Sequence, residues 1–236
     1  MLDILKRDGL LHITSFASEE HLKSIEDEFD SVFNLIPNRK EAVMQSPQML
    51  SVHNESNYES GKHLRVMPPA YPRFPALIER LNTLELKNLV DEYLGTPNQY
   101  FLQIFMSNEF NVVEASEKAR NSYLHFDPYP SLKFFLYLTD ADIDNGATQY
   151  VPGSREVGRD YRINKLNLAD TTGIHGGCKH RLEDYTESPE YTEADTVPII
   201  AKRGDLVVID TDVLHLGGFL KKNSDRKVVI VHNRPI

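Results

Sequence analysis

The chain has 236 residues, of which 40% are hydrophobic and 26% are charged, so it fits a globular protein rather than a disordered or fibrous one. Its net charge of -9 repels phosphate groups, which argues against nucleic acids and anionic membrane surfaces as partners. The single cysteine, Cys178, excludes an internal disulfide and a zinc site of several thiolates. No stretch is apolar over a membrane-spanning length, and residues 1–17 carry charges where a signal peptide is apolar. We therefore expect a single domain over residues 1–236 in the reducing cytoplasm.

The N-terminal part of the chain predicts helices around one short strand. Residues 1–17 read as a short helix or turn that leads into a strand around Leu10–Ile13. Ser18 is a candidate N-cap, and apolar residues then repeat at helical spacing over residues 19–35. We expect an amphipathic helix there.

A segment of mixed composition separates this helix from the next one. Residues 40–74 show no clear period and become rich in proline, so we expect an irregular segment on the substrate side of the fold. A second helical pattern runs from about Pro75 to Leu94, and Gly95 supplies a common helix stop.

After Gly95 the pattern changes to short strands bounded by glycine, proline, asparagine or aspartate. The predicted strands are Tyr100–Met106, Leu132–Leu138, Thr148–Val151, Val197–Ile200, Leu206–Asp210 and Val228–His232. The polar segment 155–196 interrupts them, and we expect a long excursion between strands on the substrate side. Helices followed by a run of strands predict an α+β fold with a small barrel or jelly-roll core.

The triplet His125-Phe126-Asp127 is a candidate metal motif. On a strand, His125 and Asp127 point to the same face, so an imidazole and a carboxylate can reach one ion. Two histidines and one carboxylate leave open positions on the metal, as in non-haem Fe(II) oxygenases. A second triplet, His53-Asn54-Glu55, lies in the irregular segment, and we interpret it as a chance occurrence. Taken alone, the first triplet is more often a polar pair at a strand edge.

A further histidine and an arginine lie near the end of the chain. His215 follows the turn Gly204-Asp205 and the predicted strand Leu206–Asp210. Arg226 opens the last strand after the turn Asn223-Ser224-Asp225, so His215 and Arg226 can point into one barrel mouth. Taken singly, a satisfied histidine and a surface arginine are the commoner fates.

Four segments, in this order, resemble the phytanoyl-CoA dioxygenase family of 2-oxoglutarate oxygenases, which also includes ectoine hydroxylases. They are RDGLLHITSFASEEHL at residues 7–22, the triplet His125-Phe126-Asp127, NGATQYVPGSR at residues 145–155, and GDLVVIDTDVLH at residues 204–215 followed by Arg226. The resemblance covers nearly the whole chain, although Arg155 stands where the family often has histidine. It implies a double-stranded β-helix, a distorted jelly roll, with N-terminal helices packed on one sheet and iron at the open end.

The resemblance also assigns roles to residues. It implies that Fe(II) is bound by His125, Asp127 and His215, and that Arg226 pairs with the distal carboxylate of 2-oxoglutarate. A guanidinium group suits that role because it offers a planar, permanently charged fork. Gln103 stands where ectoine hydroxylases place a cosubstrate-binding glutamine. Tyr137 is a candidate for lining the same pocket, although both could be ordinary strand residues.

The implied activity is that of a dioxygenase that uses O2 and 2-oxoglutarate, releases succinate and CO2, and hydroxylates an unactivated C–H bond. We expect a small or medium-sized metabolite as the substrate. Two alternatives stay open: a cupin-like metalloenzyme that does not use 2-oxoglutarate, and a non-catalytic ligand-binding member of the fold. Arg226 argues against the first alternative, and the intact triad argues against the second.

The two substrate-side segments carry basic residues that could contact a substrate. Solvated side chains are the commoner outcome for such residues in polar loops. The candidates are Lys62, His63, Arg65, His175, His180 and Arg181.

Overall fold

We describe the fold from a computed structural model, which describes residues 1–33, 43–45, 50–53, 60–66, 68–110, 122–173, 177–185, 190–221 and 223–236. The helices are α1 Leu2–Asp8, α2 Glu19–Phe33, α3 Pro75–Leu81, α4 Leu84–Leu94 and α5 Arg155–Asp160, with a π-helical turn at Tyr161–Lys165 and 3-10 turns at Pro68–Arg73, Leu182–Asp184 and Glu193–Asp195. The strands are β1 Leu10–Ile13, β2 Val43–Gln45, β3 Leu50–His53, β4 Ser60–Val66, β5 Asn98–Phe110, β6 Leu132–Tyr137, β7 Gln149–Tyr150, β8 Val197–Pro198, β9 Leu206–Asp210, β10 His215–Leu216 and β11 Asp225–Pro235. None of these helices has the length and apolar character needed to cross a membrane.

Within the described residues the strands form two antiparallel sheets. The larger sheet has the order β1-β9-β6-β11-β5-β4-β3-β2, and the smaller one has the order β10-β7-β8. An apolar cluster lies between them, because Phe135 and Tyr137 of β6 pack with Tyr150 of β7 and Ile199 beyond β8. This architecture confirms the predicted α+β class with a double-stranded β-helix core.

The helices pack on the other face of the larger sheet. Successive residues of a strand point to opposite faces, so Phe134 and Leu136 of β6 face the helices while Phe135 and Tyr137 face the interior. The helix-side cluster contains α1, α2, α3 and α4 residues such as Leu5, Ile25, Leu77 and Val90. The predicted packing of N-terminal helices on one sheet is therefore confirmed.

The second predicted helix is wrong as a single element. The chain forms α3 and α4 with a break at Asn82, and the Thr83 side chain caps α4 by accepting a hydrogen bond from the Leu86 N–H at 3.3 Å. Capping outweighs the apolar spacing that runs through this point. Leu84, the first residue of α4, is 73% exposed.

The predicted irregularity of residues 40–74 is also wrong for the part of this segment that the structure describes. Strands β2, β3 and β4 extend the larger sheet beyond β5, and Ser60–Val66 pairs with β5 along its length. Pairing with a long neighbouring strand gives this segment regular structure that its mixed composition does not predict. Asn54 and Glu55 of the second triplet lie outside the described residues.

The predicted excursion between strands is present. The described residues between β7 and β8 form α5 and short helical turns. Arg162 ties this excursion to the end of β9, because its Nε and Nη2 atoms donate to the Asp212 carboxylate at 2.5 and 2.7 Å.

Candidate metal centre

Backbone hydrogen bonds bring the predicted triad together. His125 and His215 form an antiparallel bridge in which each N–H donates to the other carbonyl at 2.9 Å. The Asp127 N–H donates to the Thr211 carbonyl at 3.1 Å. The segment around His125 is therefore paired with the loop and strand that hold His215.

The residues between the candidate ligands face the opposite way. Phe126 is fully buried, and its ring lies 6.0 Å from that of Tyr161. Leu214 and Leu216, on either side of His215, belong to the same apolar cluster. This packing keeps the intervening side chains on the opposite face, so the histidine and aspartate side chains point into the site.

The three side chains converge closely enough for one ion. Their candidate ligand atoms all lie within 4.8 Å of one another, and His215 Nε2 is 3.7 Å from Asp127 Oδ1. The rings of His125 and His215 have centroids 4.3 Å apart. Two imidazoles and one carboxylate at these separations fit a facial set of three ligands on a divalent transition metal.

The histidines are in the form that ligation requires. The Nδ1 atom of His125 lies 2.7 Å from the Tyr123 carbonyl, and that of His215 lies 2.8 Å from the Val213 carbonyl. An Nδ1–H that donates to a carbonyl leaves the Nε2 lone pair for a metal. Burial lowers the pKa of both histidines, so the rings are neutral at neutral pH.

A lysine that the sequence did not indicate contacts the aspartate. Lys133 Nζ lies 2.7 Å from Asp127 Oδ2. Burial raises the pKa of Asp127, but Lys133 and the two imidazoles outweigh burial and hold it below its usual range. In the sequence, the indication of this contact is that Lys133 interrupts the otherwise apolar run Leu132–Tyr137.

Arg226 reaches the turn at the start of the predicted NGATQYVPGSR segment. Its Nη1 donates a hydrogen bond to the Gly146 carbonyl. Gly146 has a φ of +81°, and a Cβ atom there would lie 3.3 Å from Arg226 Nη1, so a glycine is needed for this contact. Asn145 shapes the turn by donating to the Asp140 carbonyl at 2.6 Å.

Two buried hydroxyl groups lie on the strands that flank Val228, two residues beyond Arg226. Tyr137 and Ser107 are the cross-strand partners of Val228 on either side. Among the described residues, the Ser107 hydroxyl has no hydrogen-bond partner. Burial raises the pKa of Tyr137, and a hydrogen bond with the Thr148 side chain and the charge of Arg226 oppose that effect. A buried hydroxyl without a partner beside a guanidinium fits an oxygen-rich anion such as a carboxylate.

Gln103 lies in a different cross-strand row of the larger sheet from Arg226. It is buried and pairs across strands with His232, six residues from Arg226 along β11. Six residues of strand separate the two backbone positions by about 20 Å, so the two side chains enter the interior from different cross-strand rows. Lys133 is the partner of His232 on the other side, which places Gln103 in the row nearest the triad. Its cosubstrate role stays a prediction.

The basic residues of the substrate-side segments are partly described. Arg181 forms a backbone bridge with His125 and is 1% exposed. The His180 ring lies 5.8 Å from that of His125, so both neighbour the triad. Substrate contact by these residues stays a prediction. The side chains of Lys62, His63 and Arg65, and all of His175, lie outside the described residues.

The model of the phytanoyl-CoA dioxygenase (PhyH) family matches residues 5–228. The chain belongs to this family. A stretch of 95 residues is 34% identical to "Phytanoyl-CoA dioxygenase 1" of Oryza sativa subsp. japonica and covers 40% of this chain and 30% of that protein. This chain therefore matches less than a third of the length of that relative.

Solved structures share the fold at low sequence identity. The epimerase SnoN, crystallised with Fe3+, alpha ketoglutarate and nogalamycin RO, has a TM-score of 0.60 at 15% identity and is matched over 99% of this chain and 82% of its own. HygX from Streptomyces hygroscopicus, crystallised with nickel and 2-oxoglutarate, has a TM-score of 0.60 at 14% identity and coverages of 99% and 85%. These matches establish a common fold for this family member.

Proposed function

We propose that this phytanoyl-CoA dioxygenase family member is a non-haem Fe(II)- and 2-oxoglutarate-dependent dioxygenase that hydroxylates a C–H bond of a small or medium-sized molecule. The observation that carries the proposal is the buried convergence of His125, Asp127 and His215 within an interior that also receives Arg226. A metal triad alone fits several enzyme classes. A guanidinium near the buried Ser107 hydroxyl, which has no hydrogen-bond partner among the described residues, adds a reason for a carboxylate cosubstrate.

One set of residues would bind the metal, and another would bind the cosubstrate. The Nε2 atoms of His125 and His215 and the ionised Asp127 would bind Fe(II). Arg226 would hold the distal carboxylate of 2-oxoglutarate, oriented by its hydrogen bond to Gly146. When bound, Fe(II), 2-oxoglutarate and O2 supply the oxidising chemistry, with succinate and CO2 as products of the cosubstrate.

Apolar walls complete the site. Phe135 and Ile230 are cross-strand partners on the inner face, between the row of Lys133 and the row of Tyr137. They restrict water around the triad, which favours oxidation of the bound substrate over loss of the oxidant.

The solved structures support the class of substrate and cofactor. SnoN was crystallised with Fe3+ and alpha ketoglutarate, and HygX was also crystallised with hygromycin B. By extension we propose a small-molecule substrate and no nucleic-acid or membrane partner. A cytoplasmic location is part of the proposal and is supported by the single cysteine, Cys178.

An anaerobic titration tests the proposal. Fe(II) and 2-oxoglutarate are added to the apo-protein while the weak visible charge-transfer band of their chelate is followed. We expect the band in the wild type, its loss in His215→Ala, and no change in His21→Ala, which removes an exposed histidine bonded to Ser18. Metal binding by the wild type without a band and without affinity for 2-oxoglutarate would favour a cupin-like metalloprotein instead.

A further inference from the structure

The two oxygens of the Asp127 carboxylate have different neighbours. Oδ1 lies 3.7 Å from His215 Nε2. Oδ2 lies 2.7 Å from Lys133 Nζ. Both side chains of this ion pair are only 14% exposed. The lysine and the histidine therefore lie closest to different oxygens of the carboxylate.

The fold directs Lys133 to this position. It alternates along β6 with Phe134, which faces the helices, and shares the inner face with Phe135 and Tyr137. Its cross-strand partners are His232 and Ile209. Packing alone would favour an apolar residue at this inward position. Lysine is rarely buried unless its charge is paired.

The contact matters because a carboxylate can bind a metal through one oxygen or two. Three protein ligands leave three positions on an octahedral ion. Bound 2-oxoglutarate would take two of them and leave the third for O2. A second oxygen from Asp127 would take a position that the cosubstrate needs.

A charge-assisted hydrogen bond would oppose that change. The Lys133 ammonium contacts Oδ2 and would compete with a bound metal for it, and such bonds are about twice as strong as neutral ones. Hydrogen-bonding partners of this kind orient metal ligands and fix their geometry. Main-chain hydrogen bonds hold the backbone of Asp127 but leave its carboxylate free to rotate. The lysine supplies the missing constraint.

We propose that Lys133 is a positioning residue that keeps Asp127 a one-oxygen ligand and so keeps two adjacent positions open for 2-oxoglutarate. The inference rests on the proposed function, because it concerns how that site admits its cosubstrate.

The test separates metal binding from cosubstrate binding. Lys133→Met keeps an unbranched, flexible side chain but removes the ammonium, and Lys133→Arg keeps the charge and the donors. Lys87→Met is the matched control, because it removes a lysine that pairs with Asp91 at 2.9 Å on an exposed helix face. For each protein, Co(II) affinity and coordination number are read from its visible absorption under anaerobic conditions, and 2-oxoglutarate is then titrated.

We expect Lys133→Met to bind Co(II) at least as tightly as the wild type but to need about tenfold more 2-oxoglutarate. Its Co(II) spectrum should show higher coordination before the cosubstrate is added. Lys133→Arg should restore most of the cosubstrate affinity, and Lys87→Met should match the wild type. Equal cosubstrate affinity in Lys133→Met and the wild type overturns the proposal, as does an equal loss of Co(II) and 2-oxoglutarate affinity.

The failure of the proposed function gives a different result. In that case the wild type itself does not bind 2-oxoglutarate in the presence of metal. If circular dichroism shows that Lys133→Met does not fold, Lys133→Gln replaces it, because an amide still offers Oδ2 a neutral donor. Lys133→Gln should then bind 2-oxoglutarate more weakly than the wild type but more tightly than the metal-free protein does. An affinity equal to that of the wild type overturns the proposal.

Discussion

The Arg226 guanidinium donates a hydrogen bond to the carbonyl of Gly146, a residue 80 positions earlier in the chain. The contact joins the last strand to the turn that opens the NGATQYVPGSR segment. Two motifs that are separate in the sequence therefore act as one unit, in which the turn orients the arginine proposed to hold 2-oxoglutarate.

We predict that Gly146→Ala weakens 2-oxoglutarate binding as well as the fold. The φ of +81° disfavours alanine by about 1 kcal/mol, and the added Cβ would crowd Arg226 Nη1 at 3.3 Å. Gly153→Ala is the matched control, because Gly153 has a φ of +78° but nothing within 4 Å of the added Cβ. Denaturant unfolding and cosubstrate titration measure the two effects. Gly146→Ala should lose more stability than Gly153→Ala, because its Cβ would also lie 3.3 Å from the Gly218 carbonyl oxygen and from Leu220 Cγ. Weaker cosubstrate binding is expected in Gly146→Ala alone, and equal cosubstrate binding in both variants contradicts the prediction.

Arg226→Lys should lower 2-oxoglutarate affinity with little effect on metal affinity. The variant keeps a positive charge but loses the planar fork that binds a carboxylate through two N–H groups. We expect a loss of about tenfold for lysine and more for Arg226→Met, read by titration of the metal-loaded protein. Arg159→Met, which removes an arginine 49% exposed on α5, is the control. Unchanged cosubstrate affinity in Arg226→Met would assign the carboxylate to another group.

The Arg162–Asp212 pair should contribute strongly to stability because both side chains are mostly buried. Their side chains are 15% and 6% exposed, with Nε 2.5 Å from Oδ1. Arg162→Met leaves the Asp212 charge buried and should cost about 3 kcal/mol in the free energy of unfolding. Lys202→Met breaks the exposed pair with Asp140 and should cost less than about 1 kcal/mol. A double-mutant cycle with Asp212→Asn measures the coupling, and similar losses for the buried and exposed pairs would refute this assignment.

Asp205 should make the fold sensitive to acid. Its carboxylate accepts hydrogen bonds from the Ser15 and Lys202 N–H groups at 2.8 Å and faces His12 Nε2 at 2.8 Å. Burial raises the pKa of Asp205, but these contacts outweigh burial and lower it below the ordinary value of 3.8. The stabilisation is therefore complete above the unfolded pKa and is lost as the pH falls through the lower, folded pKa.

The corresponding measurement follows the free energy of unfolding between about pH 6 and pH 3. The wild type should lose more stability over this range than Asp205→Asn does, so the two curves converge as the pH falls. The exposed substitution Asp3→Asn should leave the wild-type curve unchanged. Parallel curves for wild type and Asp205→Asn would show that the carboxylate is not a source of the acid sensitivity.

The sequence predicted the triad partly from local pattern and partly from the resemblance to a known family. Strand alternation places His125 and Asp127 on one face, and the order of the segments placed His215 and Arg226 at one end of the barrel. The structure brings the first three together. The predicted strands after Gly95 are also present, since β-branched and aromatic residues are concentrated in them.

Other features depend on contacts between distant segments. Strands β2 to β4 take their regular structure from pairing with β5, which mixed composition does not reveal. Lys133 and Ser107 occupy inward positions that only strand register identifies. The break before α4 depends on a Thr83 cap that competes with continuous apolar spacing. These features need three-dimensional contacts rather than local pattern.

The most direct test of the proposed function is metal-dependent retention of 2-oxoglutarate. Labelled 2-oxoglutarate is equilibrated by dialysis with the anaerobic protein, with and without Fe(II), for the wild type and Asp127→Ala. We predict retention by the wild type that approaches one molecule per chain with Fe(II) and falls sharply without it, and no metal-dependent retention in Asp127→Ala. Equal retention with and without Fe(II), or none in either case, would contradict a site in which His125, Asp127 and His215 hold the metal that 2-oxoglutarate chelates.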